Sequence, residues 1–291
     1  MPSPLQEISQ AIAAAQSAGR SFAARAAAAE ALEIHALDRL EILAQGGWDP
    51  AALRPLQAGA QAALAGLEAA QQRTLGRLRG RIRAGLYSGP GLRRALLRHA
   101  GPAGPAGAFD GMDPLLQGLL GQGEPAGPRR PLEPDMVAYQ PTPARAILAL
   151  VQASGIGPQD LLVDLGSGLG QVALLAALLS GARARGVELE PSYVDYARAC
   201  AQGLQLGRVE FIHADAREAP LDGGTVYYLF TPFRGRLLER VLERLRGEAG
   251  LRSIKVCTYG PCTVQVSQQS WLAPVGAAPA GEPSLGVFQS R

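Results

Sequence analysis

Two hydrophobic periods divide this chain. In roughly the first hundred residues the apolar positions recur every three or four, as in Leu32, Ala36, Leu40 and Leu43, and again in Leu53, Leu56, Leu64 and Leu67. Such stripes predict amphipathic helices. The first runs over about residues 4–45 and includes the alanine-rich run from Ser21, which holds the best helix formers. The second opens at Asp49-Pro50, where the carboxylate accepts from free N–H groups and proline fills the first turn without losing a needed donor. It fades after Arg73, because Gly76, Gly80 and Gly85 weaken the arginine-rich continuation, and a short helix is expected over about residues 91–98. Residues 101–134 are dense in proline and glycine and read as a linker or an active-site cover with one helical turn at Pro114 to Leu120.

From about residue 135 the pattern changes to short apolar runs separated by helical stretches. Strands are predicted at Leu161 to Val163, Arg185 to Glu188, Val209 to Asp215, Thr225 to Phe230 and Ser253 to Thr258. Helices are predicted over Ala144 to Ala153, after Gly170 and over Leu237 to Leu245, and Ser270 to Pro274 with Leu285 to Gln289 make a closing antiparallel pair. Alternation of this kind is that of an α/β domain with a parallel sheet. The expected organisation is an α-helical domain over residues 1–100, a linker over 101–134 and an α/β domain over 135–291.

The most informative break lies in Leu161 to Gln171, LLVDLGSGLGQ. An apolar strand ends in Asp164, and Gly166, Gly168 and Gly170 follow before a helix begins. Glycines there permit close approach of another group, and the helix N-terminus directs free N–H groups at the same place. A dinucleotide site would space its glycines Gly-x-Gly-x-x-Gly and keep an apolar residue where Asp164 stands. A phosphate loop would continue with Gly-Lys-Ser/Thr. A carboxylate at this point repels a pyrophosphate but accepts hydrogen bonds from an ammonium group.

The segment Asp164-Leu-Gly-Ser-Gly-Leu-Gly170 resembles motif I of the class I S-adenosylmethionine (SAM) dependent methyltransferases. Glu188, ending the second strand, then matches the acid that binds the ribose hydroxyls, and Asp215-Ala216, after the third, the residues that contact adenine. The resemblance implies a Rossmann-like, seven-stranded α/β fold with SAM as cofactor. It is closer still to the non-SET histone-lysine methyltransferases, the disruptor of telomeric silencing type, because Gln171 and Val172 extend the motif. It covers about residues 137–261 but lacks that family's substrate-side asparagines. By this likeness Tyr139, Thr142, Asp164, Gly166, Ser167, Gly168, Gly170, Gln171, Glu188, Asp215 and Ala216 are cofactor-binding residues, and Tyr139, Thr231 and Phe233 are catalytic. Thr231-Pro-Phe233 ends the fourth strand, where such enzymes place their substrate-facing motif, with threonine where asparagine or aspartate is usual. Tyr228 is a further substrate-side candidate.

Composition narrows the rest. The longest apolar runs fall short of the roughly 20 residues a membrane span needs, the N-terminus lacks a basic start followed by an apolar core, and the three cysteines form neither a disulfide framework nor a zinc site. A cytoplasmic protein with no metal and no membrane partner is expected. A formal charge of +3 says little, but arginines crowd between residues 73 and 98 with no acid among them. They read as the solvated basic face of a helical domain or as a phosphate-binding arm. The leading expectation is N-methylation of a protein or peptide side chain. RNA and small-molecule methylation are the alternatives, with a homodimer through the N-terminal helices as a further expectation.

Overall fold

The structure, a computed structural model, describes residues 3–105, 107–121, 125–131, 133–276 and 284–291. Residues 106, 122–124 and 132 of the expected linker therefore lie outside the described residues. The chain divides into two compact units, Met1–Arg81 with Arg94–Gly104 and Asp110–Leu119, and Ile82–Arg93 with Pro105–Phe109 and Leu120–Arg291.

The first unit is helical. Helix α1 (Pro4–Gln16) starts in a capping box, Ser3 accepting from the Gln6 N–H while the Gln6 side chain accepts from that of Ser3. The single helix expected over residues 4–45 is interrupted here, because Ser17 ends α1 and Ser21 caps a new helix, α2 (Phe22–Leu32), through the Ala24 N–H. Helix α2 runs through a π turn (Glu33–Leu37) into α3 (Asp38–Gln45). Ile8, Ile12, Leu32, Ala36, Leu40, Leu53, Ala60 and Leu67 make the core of this unit. Asp49 caps α4 (Pro50–Arg83) by accepting from the Ala51 N–H, as the sequence indicates.

Helix α4 continues ten residues past Arg73 despite Gly76 and Gly80. Packing overrides propensity there: Leu75 and Leu78 are buried, and a β-carbon on Gly118 would lie 2.8 Å from Leu75 Cδ1. Gly118 belongs to α6 (Met112–Leu120), a full helix where one turn was expected, with Met112, Leu115, Leu116 and Leu119 wholly buried. The Arg79 guanidinium donates to the Gly118 and Leu119 carbonyls, satisfying groups that the end of α6 leaves open. Helix α5 (Gly89–His99) precedes it.

The second unit is a seven-stranded sheet in the order β3-β2-β1-β4-β5-β7-β6. Strands β1 (Leu161–Leu165), β2 (Arg183–Glu188), β3 (Val209–His213), β4 (Val226–Leu229) and β5 (Lys255–Tyr259) run parallel, while β7 (Leu285–Ser290) pairs antiparallel with β5 and with β6 (Leu272–Pro274). All five residues of β1 are buried, as helices on both faces require. The helices are α7 (Ala144–Ser154), α8 (Gln171–Ser180), α9 (Pro191–Gly203), α10 (Gly235–Leu251) and α11 (Cys262–Ser267), of which α9 and α11 were not anticipated. Lys255, the one lysine of the chain, donates to the Ser154 carbonyl at 2.5 Å and closes the end of α7. Strand order reverses between β1 and β4, so their C-terminal ends open a crevice where ligands of such sheets bind. Among the described residues no helix is long and apolar enough to cross a membrane.

Gly170, the N-cap of α8, has φ +81°, and a β-carbon on it would lie 2.5 Å from Phe211 Cζ and 2.8 Å from Ala197 Cβ. Gly170→Ala should therefore destabilise the fold by roughly 2–5 kcal/mol, the sum of overpacking and left-handed backbone cost. Gly207→Ala, with nothing within 4 Å of its new methyl, should leave the denaturant midpoint almost unchanged. Equal midpoints for the two variants in urea unfolding would contradict this packing account.

Candidate functional site

A cavity of about 390 Å³ opens at the crevice. Tyr139, Thr142, Asp164, Gly166, Ser167, Gln171, Glu188, Asp215, Ala216, Thr231 and Phe233 line it, together with Tyr228. Gly168 and Gly170 act one layer back. A β-carbon on Gly168 (φ +50°) would lie 2.2 Å from Tyr139 Cε2, so only glycine lets that ring settle on the turn, while Gly170 makes room for Phe211.

The turn is bonded to the end of β2. The Gly166 and Ser167 N–H groups donate to the Val187 carbonyl at 2.9 and 3.0 Å, and the Gly168 N–H donates to Glu188 Oε2 at 2.8 Å. Glu188 Oε1 accepts from the Leu189 and Glu190 N–H groups, both at 2.8 Å. Three bonds on two oxygens with about four acceptor sites leave Oε2 room for one more donor, such as a hydroxyl.

Asp164 is the electrostatic centre. It is 2 % exposed, and its Oδ2 has no hydrogen-bond donor within the protein; the buried Ser167 hydroxyl likewise lacks a partner. Burial, and then the Glu188 charge, push the Asp164 carboxyl up to about 8. An orphaned carboxyl oxygen beside a cavity suits an ammonium donor. The amino-acid end of SAM fits that requirement, its ribose fits Glu188, and the glycine turn lets it lie close.

The other ends of the cavity differ in character. Asp215 is clamped by Arg217, whose Nε lies 2.9 Å from both carboxylate oxygens and whose guanidinium also reaches Glu133 Oε2 at 3.1 Å. That hydrogen bonding holds Asp215 below the usual carboxylate range. Opposite, Tyr139 packs 5.5 Å from Tyr193, and Tyr228, fully buried, shares a hydrogen bond with Thr142 at 3.1 Å. Burial, followed by the Asp164 charge, raises Tyr139 above the ordinary phenol range. Phe230 lies edge-on to Tyr259 at 5.1 Å, and Phe233 is 5 % exposed.

Thr231 has φ +40°, a strained value for a β-branched residue. Its hydroxyl was expected to face an acceptor. The structure shows it donating to the Tyr259 carbonyl at 3.2 Å and accepting from the Cys262 N–H at 3.1 Å, tying the end of β4 to the loop after β5. One lone pair of the hydroxyl remains free of these bonds, and Thr231 lines the cavity.

Tyr193, Phe230, Glu190 and Arg130 also line the cavity and were missed. A signal for Glu190 existed, an acid before Pro191, which is an N-cap pattern. Glu190 accepts from Ser192 and from the Arg129 and Arg130 N–H groups at 2.9 and 3.0 Å. Burial alone would raise its carboxyl, but these bonds outweigh burial and hold it down at about 2. Among the described residues no group of three or more His, Cys, Asp or Glu could hold a metal ion.

Residues 162–246 match the family model described as "Methyltransferase domain". No curated protein matches the chain. The sheet is similar to that of an RNA methyltransferase from Salinibacter ruber at 27% identity and TM-score 0.41, over 52% of this chain and 92% of that one. A geranyl diphosphate C-methyltransferase from Streptomyces coelicolor A3(2) matches at 20% identity and TM-score 0.34, over 44% of this chain and 50% of that one. Likenesses this distant leave the acceptor open. The chain carries a class I methyltransferase domain, of the kind that uses SAM.

The raised Asp164 carboxyl makes a prediction for the protein without cofactor. An acid whose folded value, about 8, exceeds its ordinary 3.8 favours folding below pH 4, and that contribution is lost as pH rises towards 8. Wild type should thus lose a few kcal/mol relative to Asp164→Asn between pH 5 and 8. Parallel pH profiles of urea midpoints for the two proteins would contradict the burial argument.

Proposed function

We propose that this methyltransferase transfers its methyl group to an amine of a protein or peptide side chain. The observation that carries the reading is the aromatic wall of the cavity, where Tyr139, Tyr193, Tyr228, Phe230 and Phe233 stand around Thr231. An aromatic-walled cavity suits a cationic or amine-bearing side chain better than a chain of phosphates. The likeness of residues 137–261 to the non-SET histone-lysine methyltransferases points in the same direction and makes a lysine ε-amine the acceptor in its sharpest form.

In this reading the chain supplies position rather than covalent chemistry. SAM, when bound, provides an electrophilic methyl on a sulfonium. Asp164 holds the ammonium end, Glu188 the ribose, and Asp215 with Ala216 the adenine. Tyr139, Tyr228, Phe230 and Phe233 line the reacting end, where an aromatic lining favours positive charge. The Thr231 hydroxyl, held by Tyr259 and Cys262, offers the acceptor an orienting lone pair but no base. The amine therefore reaches the site after giving its proton to water, and turnover rises with pH towards the amine's own high value.

Tritiated methyl from SAM, offered with the enzyme to a cell extract, should enter the protein fraction; label confined to RNA or small molecules would overturn the acceptor assignment. Glu188→Ala should weaken SAM binding by roughly 1.5–3 kcal/mol in calorimetry, the range for hydrogen bonds to a charged group. Unchanged affinity would remove Glu188 from the cofactor site.

A further inference from the structure

The helical unit gathers basic side chains at one place. Arg25, on α2, donates through Nη2 to Thr74 Oγ1 at 2.8 Å, which sets it against α4 beside Arg73 and Arg77. The start of α2 also meets the end of α5, since a β-carbon on Gly101 would lie 3.2 Å from Ala23 Cβ, and one on Gly111 would lie 2.5 Å from Ala23 Cβ and 2.6 Å from the Ala100 carbonyl. His99 and Arg98 therefore join the group. Arg73, Arg77 and Arg98 are exposed, and none of them is in a salt bridge found among the described residues.

Arg25 Nε and His99 Nδ1 are buried without a hydrogen-bond partner in the protein. The electrostatics agree: burial, then Arg77 and Arg73, lower Arg25, and burial, then Arg25, Arg98 and Arg77, lower His99. Like charges held this close destabilise the unit unless an anion relieves them. An exposed N–H donor fork suits phosphate oxygens, and the i, i+4 pairs Arg73/Arg77 on α4 and Arg94/Arg98 on α5 repeat the charge about every 6 Å along each helix. A regularly repeated anion matches that pattern better than an isolated carboxylate.

We infer that the exposed Arg73, Arg77 and Arg98, with Arg25 packed behind them, are a docking face for the phosphate backbone of a nucleic acid. It reads charge rather than base sequence. The inference is independent of the acceptor at the cavity.

Fluorescence anisotropy of a labelled single-stranded RNA of mixed sequence, titrated with the full chain over a series of salt concentrations, tests it. Wild type should bind, with affinity falling steeply as salt rises, and Arg73→Gln with Arg77→Gln should flatten the slope of log K against log salt by about two. The pair should leave SAM affinity and helical circular dichroism unchanged. Failure of wild type to bind RNA, binding that ignores salt, or a slope untouched in the folded double variant would each overturn the inference. So would displacement of the RNA by polyglutamate at equal charge concentration, which would make an acidic protein the better partner. Should the double variant unfold, protection of wild-type Arg73 and Arg77 from phenylglyoxal by the RNA decides instead, with equal labelling in its presence counting against the face.

Discussion

A carboxyl group buried at the end of a fully buried strand is the constraint on which the rest of this site depends. Asp164 ends the apolar run of β1, has one oxygen without a donor and faces the charge of Glu188. Nothing in the packing of the sheet calls for an acid there, and an isolated buried charge is costly. Such a group is understandable as half of an interaction that a ligand completes. The glycine turn serves the same end, since Gly166 and Gly168 keep the backbone low enough for Pro232 and the Tyr139 ring to approach it.

Around that carboxyl the protein ties down segments far apart in sequence. The chain before α7 runs along the cavity, fixed by Ser192 Oγ donating to the Gly127 carbonyl, by Glu190 accepting from Arg129 and Arg130, and by Arg217 pairing with Glu133. It then bonds to the end of β4, where the Val137 N–H donates to the Pro232 carbonyl and Met136 bridges Phe233. Asp215 and Glu190 are each strongly hydrogen-bonded, so the acids that hold the walls are charged while Asp164 resists ionisation. Similar carboxyls thereby take separate tasks, set by what donates to them.

The range of the forces involved decided how much was legible in the sequence. Strand β1, its turn and helix α8 were legible because the apolar run and the glycines act within a dozen residues. Asp164, Glu188 and Asp215 stood at strand ends, and the structure brings all three to one cavity. Helix α6 was legible only as a turn from Pro114, because the prolines and glycines around it masked its full length, although Met112, Leu115, Leu116 and Leu119 already had helical spacing. The extension of α4 was illegible because contacts of Leu75 and Arg79 with α6, forty residues away in sequence, decide it. The hydrogen-bond partners of the Thr231 hydroxyl were illegible for the same reason: they lie about thirty residues on, at Tyr259 and Cys262.

The central claim is that Asp164 receives the ammonium group of SAM, and proton counting tests it most directly. Calorimetric titration of SAM in buffers of different ionisation enthalpy gives the protons exchanged on binding. Below pH 8 the free Asp164 carboxyl is largely protonated and must lose its proton to take up the ammonium, so binding should release close to one proton. Above pH 8 the free amino group of SAM, with an ordinary value near 8, has lost its own proton, and binding should take one up. Release changing to uptake as pH rises is the predicted result; SAM binding with no proton exchanged across that range would contradict the account.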